Sequence, residues 1–320
     1  MDWKKLLPIV GVLLLIYVLW RFDIEKILAV FTTINPFYAL LCFLSMPLWL
    51  IIINIEWSLI LKQQNIHISF PYAMKNSYIG YFYGFVTPGG LGSYLRALYL
   101  KQESNAPLPK CVSNLVTFNT VDLITLLIFG SIGGLFFLGQ YPYLILLDLL
   151  LLFSVTMIFI FFIRQKKSKQ FFNKLLKTQI FRSIQGFTND PLQTFYEDLP
   201  SFKNLRLPFL ISIISWSVFF TQLYFIAQLF DIHILYPTMF FMCAIAATIA
   251  TIPISVSGVG TRDATLVGLL SVYNVPPANS ISFTLFWFII FWLTPGIIGA
   301  FVTLIEHKKF PIKINPKVRT

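Results

Sequence analysis

The sequence predicts an all-α, polytopic transmembrane helical protein with re-entrant or broken helices, and the likeness of Gly90-Leu91-Gly92-Ser93 to Gly258-Val259-Gly260-Thr261 raises, without deciding, an internal repeat. Three observations predict it. Of 320 residues, 57% are hydrophobic and 12% are charged, whereas a soluble globular chain carries roughly 25% charged residues. Uncharged runs from Leu28 to Ile55, Leu123 to Leu147, Leu207 to Phe230 and Ala264 to Ile305 reach the length of about 20 apolar residues that a span needs. Two glycine-rich stretches with an arginine interrupt this apolar background: Pro88-Gly89-Gly90-Leu91-Gly92-Ser93-Tyr94-Leu95-Arg96 and Pro253-Ile254-Ser255-Val256-Ser257-Gly258-Val259-Gly260-Thr261-Arg262-Asp263. Irregular backbone at membrane depth is tolerated only where protein or a water-filled cavity covers it.

The elements follow in order. Leu7 to Trp20 reads as a first span, because Leu19-Trp20-Arg21 is too bulky for a signal-peptide cleavage site. Arg21 to Ile27 is a mixed-charge interfacial piece. Pro36 to Ile60 is the second span, and Lys62 to Pro71 a polar loop. Met74 to Phe85 is too short to cross. It stops at Pro88-Gly89-Gly90, and Tyr94 to Leu100 resumes a helical pattern. The two pieces form either one broken span or a re-entrant hairpin. A hairpin keeps Lys62, Lys101 and Lys110 on the cytoplasmic side, as the positive-inside rule requires.

Cys111 to Phe137 and Tyr143 to Ile163 are spans joined by an uncharged turn, with Asp148 near the outer headgroup layer. Residues 164–206 form a basic cytoplasmic loop in which Phe171 to Phe187 has the composition of an amphipathic surface helix. Leu207 to Phe230 and Leu235 to Ile252 follow. Ala264 to Tyr273 is a half-helix that recrosses with the second break, and Ile281 to Ile305 is the last span. The whole chain, 1–320, reads as a single integral membrane domain. Both termini are expected in the cytoplasm of a prokaryotic plasma membrane.

The net charge of +11 comes from interhelical segments and the C-terminal tail. It therefore points to topology and anionic lipid, not to nucleic acid. Cys42, Cys111 and Cys243 have neither disulfide nor metal-ligand spacing, and His67, His233 and His307 are scattered. The glycine stretches lack the strand context of a dinucleotide fold and the Lys-Ser/Thr ending of a phosphate loop. No cofactor, metal or catalytic residue is expected.

Arg96 is the leading site candidate, on a short helix whose N-terminal amides favour an anion and whose guanidinium fits phosphate or carboxylate. Gly90, Gly92 and Ser93 precede it. Arg262 and Asp263 form the second candidate pair beside Ser257, Gly258 and Gly260. Adjacent side chains on a helix diverge, so these two are expected to have different partners. Asp122, about a dozen residues into its span, needs a partner, water or a proton; pairing with Arg96 or Arg262 is the expectation, and proton coupling the alternative. Lys75, Glu56 and Asp148 lie nearer an interface and have weaker claims.

These motifs resemble a known family: flippase-like integral membrane proteins related to the transmembrane region of lysylphosphatidylglycerol synthases. The resemblance covers roughly residues 5–305. It rests on Thr87 to Ser93 with Arg96, on the polar span leading to Asp122-Leu123, and on Pro253 to Asp263. That last stretch is similar to the family's Pro-Ile-Ser-x-Gly-Gly-x-Gly-x-Arg-Glu, with Ser257 for the first glycine and Asp263 for the glutamate. Ser93 stands where the family often has Glu, and Phe118-Asn119 where it often has Glu-Arg. The resemblance implies a lipid flippase or transporter for an anionic or aminoacylated phospholipid or an isoprenoid-linked lipid, without a synthase domain. A membrane-protein partner, as in an accessory or scaffold role in envelope assembly, is the alternative; an intramembrane transferase comes third.

Overall fold

The computed structural model describes residues 25, 29, 32–85, 87–137, 142–163, 191–196, 198–252 and 258–309. The expected first span, most of the 164–206 loop, Ser257 and the C-terminal tail lie outside these residues. The described elements are helices α1 (Pro36–Gln63), α2 (Phe70–Phe85), a 3-10 segment (Pro88–Leu95), α3 (Arg96–Ser104), α4 (Leu108–Phe136), α5 (Pro142–Ile163), α6 (Pro191–Tyr196), α7 (Arg206–Gln228), α8 (Tyr236–Ala250), α9 (Thr261–Ser271), α10 (Pro277–Phe288), a π segment (Ile289–Leu293) and α11 (Thr294–Lys309).

Helices Pro36–Gln63, Leu108–Phe136, Arg206–Gln228 and the continuous run Pro277–Glu306 are long and apolar enough to cross a membrane. The lipid side of the bundle is read from large exposed apolar residues such as Leu40 and Leu44 on α1, Leu207 and Leu210 on α7, and Phe301 and Leu304 on α11. The π segment has a local cause. Pro295 has no N–H to give the preceding turn, and the Thr294 hydroxyl instead donates to the Ile289 carbonyl at 2.7 Å.

The first glycine break is a hairpin. Gly84 lies against Ser93 and Gly80 against Arg96, while Asn76 donates to the Arg96 carbonyl at 3.1 Å and Tyr72 to the Tyr99 carbonyl at 3.1 Å. As α3 advances, its partners on α2 fall in number, so α3 returns alongside α2. The second break is also a hairpin, where a recrossing half-helix was expected. Asn279, in the first turn of α10, donates to the Phe230 carbonyl just after α7 at 2.8 Å. That bond places the start of α8 and the end of α9 on one side. At 1.5 Å per residue, the 15 residues of α8 and 11 of α9 reach roughly 22 and 16 Å, short of the ~30 Å hydrocarbon core.

The two halves repeat. Helix α1 packs antiparallel on α7: Gln222 donates to the Ser45 carbonyl at 2.6 Å, and Gln63 to the Asn204 carbonyl at 2.7 Å. Each hairpin's first helix packs antiparallel on the long helix of the other half, α2 on α11 and α8 on α4. Both crossings close on glycines, Gly296 and Gly299 against α2 and Gly130 and Gly133 against α8. A side chain at Gly299 would collide with the Tyr78 carbonyl. Landmarks fall at one constant spacing along the chain: Asn65 with Asp231, Arg96 with Arg262, Gly130 with Gly296, Gly133 with Gly299. Asn65 and Asp231 both take positive φ, 53° each. Ile66 then donates to the Leu61 carbonyl and Ile232 to that of Ala227, the same helix-ending motif twice. Because the halves run antiparallel, a bilayer would meet them in opposite orientation, one hairpin entering from each face.

The larger core sits where α1 and α7 cross. Trp49 packs on Phe219 at 4.8 Å and on Phe291 at 5.7 Å between centroids, and Phe219 on Phe291 at 4.8 Å. A second apolar cluster joins α1, α3 and α4 around Trp57, Leu100 and Leu115. On the loop side of that cluster, Lys110 bonds Asp198 at 2.8 Å. That bond, with one from Asn65, holds the Asp198 carboxyl below the usual carboxylate range.

Candidate functional site

Between the first hairpin, α1, α4, α7 and the π segment lies a cavity of about 420 Å³. The hairpin tip forms one wall. Gly90 sits there at φ +67°, a conformation that favours glycine. The Gly92 amide donates to Thr87 Oγ1 at 2.7 Å, and a Cβ at Gly92 would collide with the Tyr83 carbonyl. These contacts fold the tip tightly enough to bring Gly90 and Ser93 to the cavity wall.

Arg96 follows the tip and lines the same cavity, 7% exposed. Its guanidinium lies over Trp57 at 4.7 Å and Phe118 at 5.4 Å, and Nη1 donates to Ser77 Oγ at 3.4 Å. Ser77 in turn donates to Asn54 Oδ1 at 2.7 Å. Among the described residues, no carboxylate comes within 4 Å of this cation. The expected anion site at the α3 N-terminus is not free, because the 3-10 segment consumes it: the Arg96 amide donates to the Ser93 carbonyl. The side chain, not the helix end, presents positive character to the cavity.

Asp122 and Asn119 reach the cavity from α4. Asp122 Oδ1 is buried without a hydrogen-bond partner, and Trp216 donates to its backbone carbonyl at 3.2 Å. The expected ion pair with Arg96 is not formed, although the two charges act on one another. They face one cavity and leave space between them.

Arg262 and Asp263 lie away from this cavity and bind each other, contrary to the divergence expected of neighbouring helical residues. Asp263 Oδ1 accepts from Arg262 Nε at 2.9 Å and Nη2 at 2.7 Å. The reason is their place in the first turn of α9. Asp263 bends back so that Oδ2 accepts the Gly260 amide at 2.9 Å, and the long arginine folds over it beneath Trp287, 4.5 Å away. Gly258 and Gly260 take φ of 73° and 89° and shape that turn. Arg262 also donates to the Thr284 carbonyl at 3.3 Å. The two arginines thus share a place in the repeat, and each stacks on an aromatic ring, but only Arg96 lines the cavity.

The weaker candidates separate. Lys75 meets Glu306 at 3.8 Å. Asp148 is buried against α4 and α8, with Ser131 donating to it. Glu56 was placed near an interface from its position, yet it is fully buried between α1 and its neighbours, with neither carboxylate oxygen hydrogen-bonded. A signal existed: a lone acid with apolar residues on both sides and no lysine or arginine within four residues.

Two re-entrant hairpins in inverted halves, with a largely apolar cavity that holds Arg96, Asn119 and Asp122 at one tip, define a polytopic membrane protein of the discontinuous-helix class. The chain belongs to the family of the lysylphosphatidylglycerol synthase TM region, whose model matches residues 6–299. It is similar to a UPF0104 membrane protein of Methanocaldococcus jannaschii, 25% identical, with 97% of each chain covered. It is also similar to one of Pyrococcus horikoshii, 23% identical over 95% of this chain and 98% of the relative. Both relatives are membrane proteins of prokaryotes, and a prokaryotic membrane is the setting these likenesses support.

Proposed function

We propose that this protein translocates an amphipathic lipid with an anionic headgroup, an anionic or aminoacylated phospholipid or an isoprenoid-linked lipid. The observation that carries the reading is Arg96: a buried guanidinium on a cavity wall, stacked on aromatic rings and without a carboxylate within 4 Å among the described residues. A buried cation is costly unless paired, and a phosphate oxygen supplies the missing partner with bidentate geometry. Gly90, Gly92 and Ser93 shape the wall beside it. Asp122, on the same cavity but apart from Arg96, gives a partner to the ammonium of an aminoacylated headgroup. Arg262, Asp263, Gly258 and Gly260 hold the second hairpin tip together instead of lining this cavity. The whole chain acts as one membrane domain, with both termini in the cytoplasm.

The test is leaflet exchange of labelled phosphatidylglycerol and isoprenyl-phosphate lipids in proteoliposomes. Wild type exchanges one class, and Arg96→Ala or Arg96→Lys, still folded, does not. Exchange unchanged by Arg96→Ala sinks the role given to this side chain. No exchange across the panel, with a stable partner recovered from native membranes, favours an accessory role.

A further inference from the structure

Glu56 has no place in the headgroup reading, yet its burial needs a cause. It is 0% exposed, inside a membrane-crossing helix, and both its oxygens lack hydrogen-bond partners. Asp122, with its own unpartnered oxygen, acts on it electrostatically. Ser212 of α7, also 0% exposed, lies level with Glu56 in the antiparallel register that the Gln222–Ser45 and Gln63–Asn204 bonds set. Its hydroxyl has no hydrogen-bond partner, and it lies one helical turn before Trp216, which donates to the Asp122 carbonyl. Glu56 and Ser212 are fully buried, while Asp122 is partly buried and opens on the cavity.

The surroundings offer little compensation. Among the described residues, α4 contributes Asp122, and its Lys110 is engaged with Asp198. Helix α3 contributes Arg96, which acts on Asp122. Helix α2 contributes Tyr81, on which Asp122 also acts, while its Lys75 turns to Glu306. Helix α7 supplies the neutral Ser212 and Trp216 and carries no charge after Arg206; the π segment has no titratable side chain. One cation, Arg96, therefore shares the cavity with one acid, Asp122, and among the described residues Glu56 has none. Two adjacent bare carboxylates in a low-dielectric interior are far costlier than one carboxylate and one neutral acid.

We infer that Glu56 and Asp122 form a proton-binding pair, loaded through the cavity at Asp122 and backed by Glu56 and Ser212, whose single exchangeable proton couples lipid movement to a proton gradient. This rests on the lipid reading of the same cavity. With one proton on the pair and Arg96 charged, the cluster is neutral. An anionic headgroup at Arg96 adds negative charge beside Asp122 and favours proton uptake; its departure favours release. The arriving proton bonds to a carboxylate oxygen, with the unpartnered Ser212 hydroxyl level with Glu56. A divalent cation is a poor rival, since it takes about six oxygen ligands and the described residues hold no group of three metal-ligating side chains.

Infrared difference spectroscopy of the protein in lipid bilayers, stepped between acidic and alkaline buffer, reads the pair directly and needs no lipid substrate. The wild type is expected to show a protonated-carboxyl C=O band that titrates, lost in Glu56→Gln and lost or displaced in Asp122→Asn. Proteoliposomes carrying labelled phosphatidylglycerol or isoprenyl phosphate then compare symmetric pH, a proton gradient and a sodium gradient. A proton gradient is expected to drive net transfer between leaflets, and Glu56→Gln, a residue outside the cavity lining, to fall to its own symmetric-pH level. No titrating band in wild type, a band unaffected by both substitutions, or sodium replacing the proton gradient overturns the proposal. A titrating pair with no lipid exchange leaves the proton site standing and sinks the lipid reading instead.

Discussion

Arg96 and Arg262 occupy matching places in the two halves, so the same substitution at each separates a structural role from a ligand-facing one. Asp263 is 3% and Arg262 1% exposed, joined through two bonds of 2.7 and 2.9 Å. Asp263→Ala leaves a buried guanidinium unpaired, about 3–5 kcal/mol. It also removes the bond to the Gly260 amide, about 1 kcal/mol. The expected loss is therefore about 4–6 kcal/mol. At about 2–4 °C per kcal/mol for a domain of 150–250 residues, the apparent melting temperature should fall by at least ~8 °C. Arg96→Ala removes two ring contacts and one long bond to Ser77 at 3.4 Å, about 2 kcal/mol in a desolvated site.

The assay is thermal unfolding of purified protein in lipid nanodiscs, with leaflet exchange measured on the same samples. The expected pattern is crossed: Asp263→Ala loses stability, and Arg96→Ala loses transport while keeping most of its stability. The double variant Arg262→Met with Asp263→Ala should recover part of the loss, because no charge is then left unpaired. If Arg96→Ala melts as low as Asp263→Ala, Arg96 is a structural clamp and the argument from its unpaired state fails. If Asp263→Ala melts like wild type, the buried pair is not what holds the second hairpin.

Thr87→Val removes the bond to the Gly92 amide and should cost about 1 kcal/mol, with reduced exchange from a loosened tip. Gly92→Ala forces a side chain into the Tyr83 carbonyl, and exchange should be abolished with a measurable fall in melting temperature. Gly299→Leu should separate α11 from α2 and lower folded yield in nanodiscs. At the loop side, Asp198 is held below the usual carboxylate range by Lys110 and Asn65, so its stabilisation is present above the unfolded value and lost as pH falls through the folded one. That half-exposed pair is worth at most about 1 kcal/mol. Asp198→Asn should therefore lower the melting temperature slightly at neutral pH and not at all in acid.

Much of the fold was legible because lipid imposes a coarse rule on sequence. Long uncharged runs marked α1, α4, α7 and the α10–α11 run, and the glycine breaks marked both hairpins. The sense of the second hairpin was not legible from local pattern. Residues 264–273 are as apolar in a helix that returns as in one that crosses, and only the Asn279 bond to Phe230 decides it. The repeat was readable outside the glycine stretches. Asn65-Ile66-His67-Ile68-Ser69-Phe70-Pro71 and Asp231-Ile232-His233-Ile234-Leu235-Tyr236-Pro237 align more fully than the breaks, because both encode the same left-handed helix ending and proline restart. At the site, Arg96 and Asp122 stood out as charges in apolar context. Glu56 is as lone a charge, but its place near the end of α1 reads as an interface, and depth along a helix says nothing about which neighbours enclose it.

The unlike fates of the two arginines follow from what each hairpin offers. In the second, Asp263 directly follows Arg262 and has a backbone amide to anchor its other oxygen, so the pair closes on itself beneath Trp287. In the first, Ala97 follows Arg96, and the Arg96 amide at the start of α3 is consumed by the 3-10 turn. Its nearest polar partner is a serine already committed as donor to Asn54. Gly80 adds the decisive contact: a Cβ there would press on the Arg96 side chain at Cδ, 2.8 Å away. The chain thus leaves room for this guanidinium in the cavity wall while withholding a carboxylate from it. A repeat that was symmetric in charge as well as in backbone would close both tips. Replacing Ala97 with Asp tests this directly. If the new carboxylate captures Arg96 as Asp263 captures Arg262, lipid exchange should fall while the melting temperature holds or rises. Exchange undiminished in a variant whose Arg96–Asp pair is seen to form would show that the cation need not be free.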